Sequence, residues 1–254
     1  MIAQAIHTRK ITANSCTIFE LLDEFLQELP ERSVLVITSK IVSLCEGRVR
    51  PIEGTDLEKL IREEAEWYMP GAAPQHGYVT TLAHGMLTLN SGIDESNANG
   101  VYVLWPSDPQ ASANAIRHYL QERFGVKEVG VIITDSVFLP MRWGAVGSSL
   151  ASSGMMPVYS YREQTDIFGR PLLLSRTNVV DSLATVATLQ MGEGAEQTPL
   201  AVITEIPHST FVSDDPSEAE LAARHTPPEE DMFGALLTAV EWKKGGAGAA
   251  PSDS

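Results

Sequence analysis

Oxygen-bearing and cationic side chains gather at a few turn-like places in the chain, and they set the chemistry open to it. The stretch Asn90-Ser-Gly-Ile-Asp-Glu-Ser-Asn97 places Asp94, Glu95, Ser96 and Asn97 just after Gly92. Hard divalent cations take oxygen ligands, and loop carboxylates supply them. A hairpin connection with solvated acids accounts for the same composition. In VIITDS an apolar run delivers Asp135 and Ser136 at what reads as the C-terminal end of a strand. Ligands bind beyond such ends in mixed sheets, and an aspartate beside a hydroxyl commonly holds nucleotide-bound magnesium. The local alternative is that Asp135 caps the next element. Lys40 of TSK (38–40) ends another strand-like run, either as a point charge for phosphate or as a solvated edge. Arg142, Arg162 and Arg170 lie in a Gly-, Ser- and Pro-rich stretch (137–178) and are three of only 18 basic residues. Their forked donors suit carboxylate or phosphate, or surface ion pairing. In QMGEG (190–194) Glu193 stands between two glycines where a helix should end, presented to a ligand or metal, or belonging to the helix cap.

Other chemistries find no support. There is no GxxxxGK[ST] phosphate loop and no GxGxxG ahead of a helix. No Ser/His/Asp or Cys/His arrangement suggests a covalent nucleophile. His7, His76, His84, His118, His208 and His225 are scattered without zinc spacing. Two cysteines, Cys16 and Cys45, make no disulfide framework and fit a reducing cytoplasm. The start, MIAQAIHTRK, lacks the apolar run of a signal peptide, and no apolar run approaches a membrane span. The formal net charge of -15 argues against nucleic acid and anionic lipid as partners. An anionic substrate then requires locally concentrated cations, and a bound divalent metal is one source.

Positioning these residues requires alternating elements. Residues 16–29 repeat apolar side chains on one helix face, with Asn14 or Ser15 as cap and Pro30 as stop. SVLVITSK (33–40) reads as a buried strand. A helix over 55–68 is expected to be capped by Thr55, with Glu58 completing a capping box. Residues 76–104 read as β-rich and antiparallel, split by the polar loop 90–100. A helix over 108–125 has Asp108 as N-cap, Pro109 in its first turn and Gly125 as C-cap. VKEVGVIITDS (126–136) is a second buried strand, 178–192 an almost wholly apolar and therefore buried helix, and 198–206 a last strand. One more helix is expected within 229–242, and KKGGAGAAPSDS (243–254) has the composition of a flexible tail. An α+β (mixed α/β) fold follows, with mixed sheets and packed helices. Its main domain should span 1–206, as one body or two intimate subdomains, with a C-terminal extension over 207–242.

In their order, these segments resemble the coenzyme F420-0:L-glutamate ligase family. The pieces are VLVITSKIVSLCEGR (34–48), SGIDESNANG (91–100), DPQASANAIRHYL (108–120), VGVIITDS (129–136), YREQTDIFGRPL (161–172) and QMGEG…TPLAVI (190–203). GIDxSN, IITD and DxFGR are specific in combination. The variants VLWP and MRWG look like a bacterial branch described as folate-metabolism γ-glutamate ligases. The resemblance implies that Asp94 and Asp135 bind a divalent metal. It also implies that Ser136, where the family usually has threonine, aids a second metal, and that Glu193 takes the place of the acid or amide near that turn. Lys40 and Asn97 would contact the nucleotide. GTP with Mg2+ or Mn2+ and an intertwined homodimer are further implications. Two departures stand out: VFLPMRWG replaces the family's GRxxRxG, retaining only Arg142 and Gly144, and IHTRKI replaces its N-terminal GLP-type loop.

The implied reaction fits the residues. A γ-phosphate transferred to the acceptor carboxylate gives an acyl phosphate, which the glutamate amine attacks. No protein nucleophile is needed. Arg142, Arg162 or Arg170 would hold the incoming L-glutamate. Trp105 and Trp143 offer faces to a flat folate-like acceptor, or pack in a core or dimer interface. Two other classes remain: a non-catalytic nucleotide- or metal-binding regulator that kept the fold, and an oxidoreductase-associated module.

Overall fold

The computed structural model describes residues 1–71, 77–222 and 224–246. In chain order they form β1 (Ile2–Ile6), α1 (Ile18–Phe25), β2 (Ser33–Thr38), α2 (Ser39–Glu46), β3 (Val49–Pro51), α3 (Leu57–Glu64) and β4 (Trp67–Tyr68). A hairpin of β5 (Thr80–Ala83) and β6 (Met86–Leu89) leads into a 3-10 turn (Asn90–Gly92) and β7 (Val101–Val103). Then come α4 (Pro109–Phe124), β8 (Val129–Phe138), β9 (Ala145–Ser153), β10 (Val158–Ser160), β11 (Arg176–Asn178), α5 (Val179–Met191) and β12 (Leu200–Thr204). Last are α6 (Glu218–Ala222), α7 (Gly234–Leu237) and β13 (Lys243–Lys244). The fold is α+β, and among the described residues no helix is long and apolar enough to cross a membrane.

The chain divides into two compact units. The first comprises Met1–Ile11, Cys16–Val42 and Asp108–Asp215. Its five strands run in the order β1-β12-β2-β8-β9, antiparallel except for the parallel pair β2–β8. Val34, Val36, Ile132, Ala201 and Ile203 form a core with Leu183, Ala184 and Ala187 of α5. The alternate residues Leu35, Ile37, Val131 and Ile133 are equally buried, and α4 packs against β8 and β9. Strands covered on both faces become continuous apolar runs, which is why 33–38 and 129–134 show no alternation. α5 is not buried all round, since Leu189 is 83% exposed. The segment through Asp215 also belongs here. Arg117, 1% exposed, donates to the carbonyls of Val212 (3.3 Å) and Ser213 (2.9 Å) and to the Asp215 carboxylate (2.5 Å).

The second unit comprises Thr12–Ser15, Ser43–Ser107 and Pro216–Ser254, of which 72–76, 223 and 247–254 lie outside the described residues. A four-stranded antiparallel sheet in the order β13-β4-β5-β6 stands beside the small pair β3–β7. Leu60, Tyr102 and Leu104 form its core, with Ile52, Leu57 and Ile93 packed against them. Arg48, largely buried, joins the Glu64 carboxylate at 2.7 Å and the Trp105 carbonyl at 3.1 Å. The expected extension 207–242 is thus shared, with residues to 215 in the first unit and those from 216 in the second.

Several local expectations change. Thr17, not Asn14 or Ser15, caps α1, exchanging bonds with Glu20 as a complete capping box. Asp56 caps α3 in place of Thr55, its carboxylate accepting from the Lys59 amide. In each case the cap falls where the chain turns into the helix. Of the helix expected within 229–242, only Gly234–Leu237 forms. Lys243 and Lys244, placed by composition in a flexible tail, pair with Tyr68 and Trp67, while the rest of that tail from residue 247 and the start of the β-rich block at His76 lie outside the described residues.

Candidate active site

Asp135 and Ser136 do not end a strand. β8 runs on to Phe138, with a register irregularity at Ile133/Thr134 and with Asp135 opposite Ser148 and Ser136 opposite Gly147 of β9. Its parallel partner β2 stops sooner, at Thr38 opposite Thr134. Residues 135–138 therefore extend past β2, and among the described strands they pair with β9 alone. Lys40 is likewise not on a strand edge. The register of β2 with β12 ends at Ile37↔Leu200, just after Pro199, and the chain passes straight into α2, whose first turn carries Lys40.

α5 brings Glu193 to this projecting edge. Its N-cap is Asn178, and the first-turn Asp181 accepts from the Ser149 amide at 2.7 Å and the Ser148 hydroxyl at 3.0 Å. Thr185 Oγ1 donates to the Gly147 carbonyl at 2.8 Å. A Cβ on Gly147 would stand 2.2 Å from Thr188 Oγ1 and 2.4 Å from the Ala184 carbonyl oxygen, so only glycine lets helix and strand approach this closely. The helix closes at Gly192 (φ 77°, ψ 169°), a conformation that L side chains rarely adopt. Glu193 follows, and the Ser136 hydroxyl donates to its Oε1 at 2.6 Å. Glu196 folds back onto the Gly194 amide (2.8 Å), and Thr198 Oγ1 donates to the Met191 carbonyl (2.6 Å), so the turn is fastened on both sides.

In the second unit Asp94 and Asn97 ride a loop held by unusual backbone. Asn90, Ser91 and Gly92 have φ of 51°, 54° and 71°. Ser91 donates from its hydroxyl to the Ile61 carbonyl at 3.0 Å and from its amide to Thr81 Oγ1 at 2.9 Å. A Cβ on Gly92 would fall 2.0 Å from the Trp105 ring. Trp105, 3% exposed, is therefore part of the packing under the loop, and the stacking platform considered for it is filled by this chain's own backbone. Asp94 bridges Val103 through both backbone groups (3.0 and 2.8 Å), and its carboxylate accepts from the Ser96 amide at 2.7 Å and hydroxyl at 3.0 Å. Asn97 is exposed with φ 54°.

The arginines stand on two separate hairpins of the first unit. Arg142 lies between β8 and β9, and Arg162 and Arg170 between β10 and β11; all three are exposed. Asp166 shapes the second hairpin by accepting from the amides of Phe168 (2.8 Å) and Arg170 (2.9 Å). Trp143 is fully exposed. Among the described residues no three His, Cys, Asp or Glu side chains gather as a metal-holding group. Around β8 and α5 the donors are all oxygen, with few carboxylates. That suits magnesium, which keeps several waters and binds one or two carboxylates together with substrate phosphates. Two positioning residues escaped the sequence reading, Gly147 and Asp181. A lone glycine inside a strand signals close approach and could have found the first; an acid in a helix's first turn is too common to single out the second.

Known proteins resemble the chain over most of its length. Residues 56–205 match the family model described as F420-0:Gamma-glutamyl ligase. A protein of Methanothermobacter thermautotrophicus named coenzyme F420:L-glutamate ligase is 33% identical over 217 residues, covering 78% of this chain and 84% of the relative. Relatives of the same name from Methanococcus maripaludis (32% identical, 85% of this chain, 90% of the relative) and Methanopyrus kandleri (33%, 81% and 87%) align similarly. Fold, sequence and relatives define a ligase enzyme. The chain belongs to the F420-0:γ-glutamyl ligase family.

Proposed function

We propose that this protein is a nucleotide- and divalent-metal-dependent γ-glutamyl ligase that joins L-glutamate to the carboxylate of a coenzyme. The observation that carries this reading is the meeting of Ser136 and Glu193 at 2.6 Å, on the edge where Asp135 runs past β2. These three residues would hold Mg2+ or Mn2+, and Asp94 is assigned the same role in the second unit. A bound divalent cation supplies charge neutralisation for the triphosphate and the transferring phosphoryl group. Lys40, on the first turn of α2, provides a point charge for phosphate, and Asn97 a hydrogen-bonding side chain for GTP. The exposed Arg142, Arg162 and Arg170 have the forked donors that hold the carboxylates of L-glutamate while its amine attacks the acyl phosphate.

The names of the relatives favour an F420-type deazaflavin acceptor. The folate-like pteridine is the weaker reading, because Trp105 is packed under Gly92 and only Trp143 remains open for stacking. A homodimer is part of the proposal. Met141, Trp143, Ile167, Phe168, Leu173 and Leu174 are exposed on the two hairpins, and apolar surface of this kind marks interfaces. Light scattering should then give twice 27.6 kDa. A cytoplasmic location is also part of the proposal, since two cysteines make no disulfide framework.

The test is glutamylation with GTP or ATP, Mg2+ or Mn2+, L-glutamate and either the deazaflavin coenzyme or a folate monoglutamate. One added glutamyl unit together with released phosphate supports the ligase. Nucleotide binding without phosphate release under every combination would instead make the chain a regulator that kept the fold.

A further inference from the structure

The family-matched stretch ends at residue 205, yet residues 216–222 and 224–246 are built into the unit that carries Asp94 and Asn97. β13 adds a fourth strand to the sheet of β4, β5 and β6. Immediately after it, the Gly245 amide donates to the Glu66 carbonyl and the Gly246 amide to the Arg62 carbonyl, each at 2.9 Å. Arg62 O belongs to the last turn of α3, and the neighbouring carbonyl of that turn, Ile61 O, accepts from the Ser91 hydroxyl at 3.0 Å. One helix end is thus held on adjacent carbonyls by the C-terminal segment and by the root of the 91–97 loop. The approach leaves no room for a side chain, since a Cβ on Gly245 would fall 2.1 Å from the Ala65 carbonyl oxygen and 2.7 Å from that of Arg62. A second anchor lies at the β5–β6 turn. The His225 ring sits 2.8 Å from where a Gly85 Cβ would project, and the adjacent His84 ring lies 5.8 Å from Trp105, the residue packed under Gly92.

We infer that the C-terminal segment is a positioning element for the 91–97 loop, with Gly245 and His225 as its anchoring residues. Carbonyls at a helix C-terminus lack intrahelical donors, so ends left unheld fray. Ile61 O keeps its helical donor, the Ala65 amide at 3.0 Å, while Arg62 O takes its donor from Gly246, so docking of residues 243–246 completes this helix end and fixes the height at which Ile61 O also receives Ser91. Ser91, held in a left-handed conformation, transmits that position to Gly92, Ile93 and Asp94. The catalytic consequence rests on the roles proposed for Asp94 and Asn97; the structural one does not.

The test separates the two. In Gly245→Ala full-length protein, hydrogen exchange at the Ile93, Asp94 and Val103 amides should speed up about tenfold, with Val36 and Ile132 of the first unit unchanged within about twofold. His225→Ala, a gentler change at an exposed ring, should give about threefold at the same loop amides and covers the case in which Gly245→Ala fails to fold. In glutamylation assays both variants should raise the KM for nucleotide about fivefold and leave kcat within about twofold, as expected for a displaced binding loop. Unchanged loop exchange in both variants, or an equal rise in both units, overturns the inference. Faster loop exchange in a protein that releases no phosphate sustains the positioning role and removes the ligase reading instead.

Discussion

The edge formed by β8 and α5 and the loop over 91–97 present similar oxygen-bearing side chains on different supports. Ser136 comes from a ten-residue strand and Glu193 from the turn that closes a thirteen-residue helix, and the inner faces of both elements are buried. They are locked by Asp181, Thr185 and the side-chain-free Gly147. Asp94 and Asn97 come from a short loop with left-handed residues, tied to a small core by Ser91 and Ile93. Regular elements with two covered faces open only with the whole unit, whereas a loop with few buried neighbours opens locally. The first support is rigid; the second is the part that can adjust locally.

Substitutions test that contrast. The largest effect is expected from Asp135→Asn, which should lower metal-dependent turnover by about a hundredfold or more, beyond what loss of an outer partner of a metal ligand costs. Its thermal unfolding should stay close to that of the unaltered protein. A fully active Asp135→Asn enzyme would remove this edge from the site. Next, Gly147→Ala forces α5 off β9 and should destabilise the first unit by about 3 kcal/mol in denaturant unfolding, the upper range for overpacking. Gly92→Ala meets the Trp105 ring first, together with a left-handed backbone, and should cost about 1–2 kcal/mol while raising the nucleotide KM. If Gly92→Ala proved the more damaging to global stability, the distinction between a fixed edge and an adjustable loop would fail.

The smallest effect concerns the pH response of the first unit away from the site. The Glu31 carboxylate accepts from the Glu128 and Lys127 amides, which hold it below the ordinary carboxylate range. A lowered folded value means that the stabilisation is present above the unfolded value of about 4.5 and is lost as pH falls through the folded one. Glu31→Gln should therefore flatten the acid limb of the stability profile below about pH 4.5 and lower the neutral plateau slightly without changing its slope.

Much of this was legible in the sequence. Two apolar runs without alternation implied strands covered on both faces, and Asp108, Pro109 and Gly125 marked the ends of α4 correctly. Glu193 after a helix-ending glycine, and Asp135 beside Ser136, pointed to the edge that the structure assembles. The caps of α1 and α3 differ because several polar residues precede each helix, and the backbone turn selects among them; Thr17 stands three and two positions beyond Asn14 and Ser15, and Asp56 one beyond Thr55.

What the sequence determined by itself was local: which residues repeat at helix or strand spacing, which are oxygen donors, and which glycines punctuate them. Only the tertiary structure decided that β8 outruns β2, that Ser136 reaches Glu193 across 57 positions, and that Trp105 fills the space under Gly92. It alone turned a lysine pair within a tail-like composition into a strand paired with β4. The physical reason is that periodicity reports a residue's average environment within one element. Pairings between distant segments depend on strand order, on register and on where a missing Cβ permits close approach.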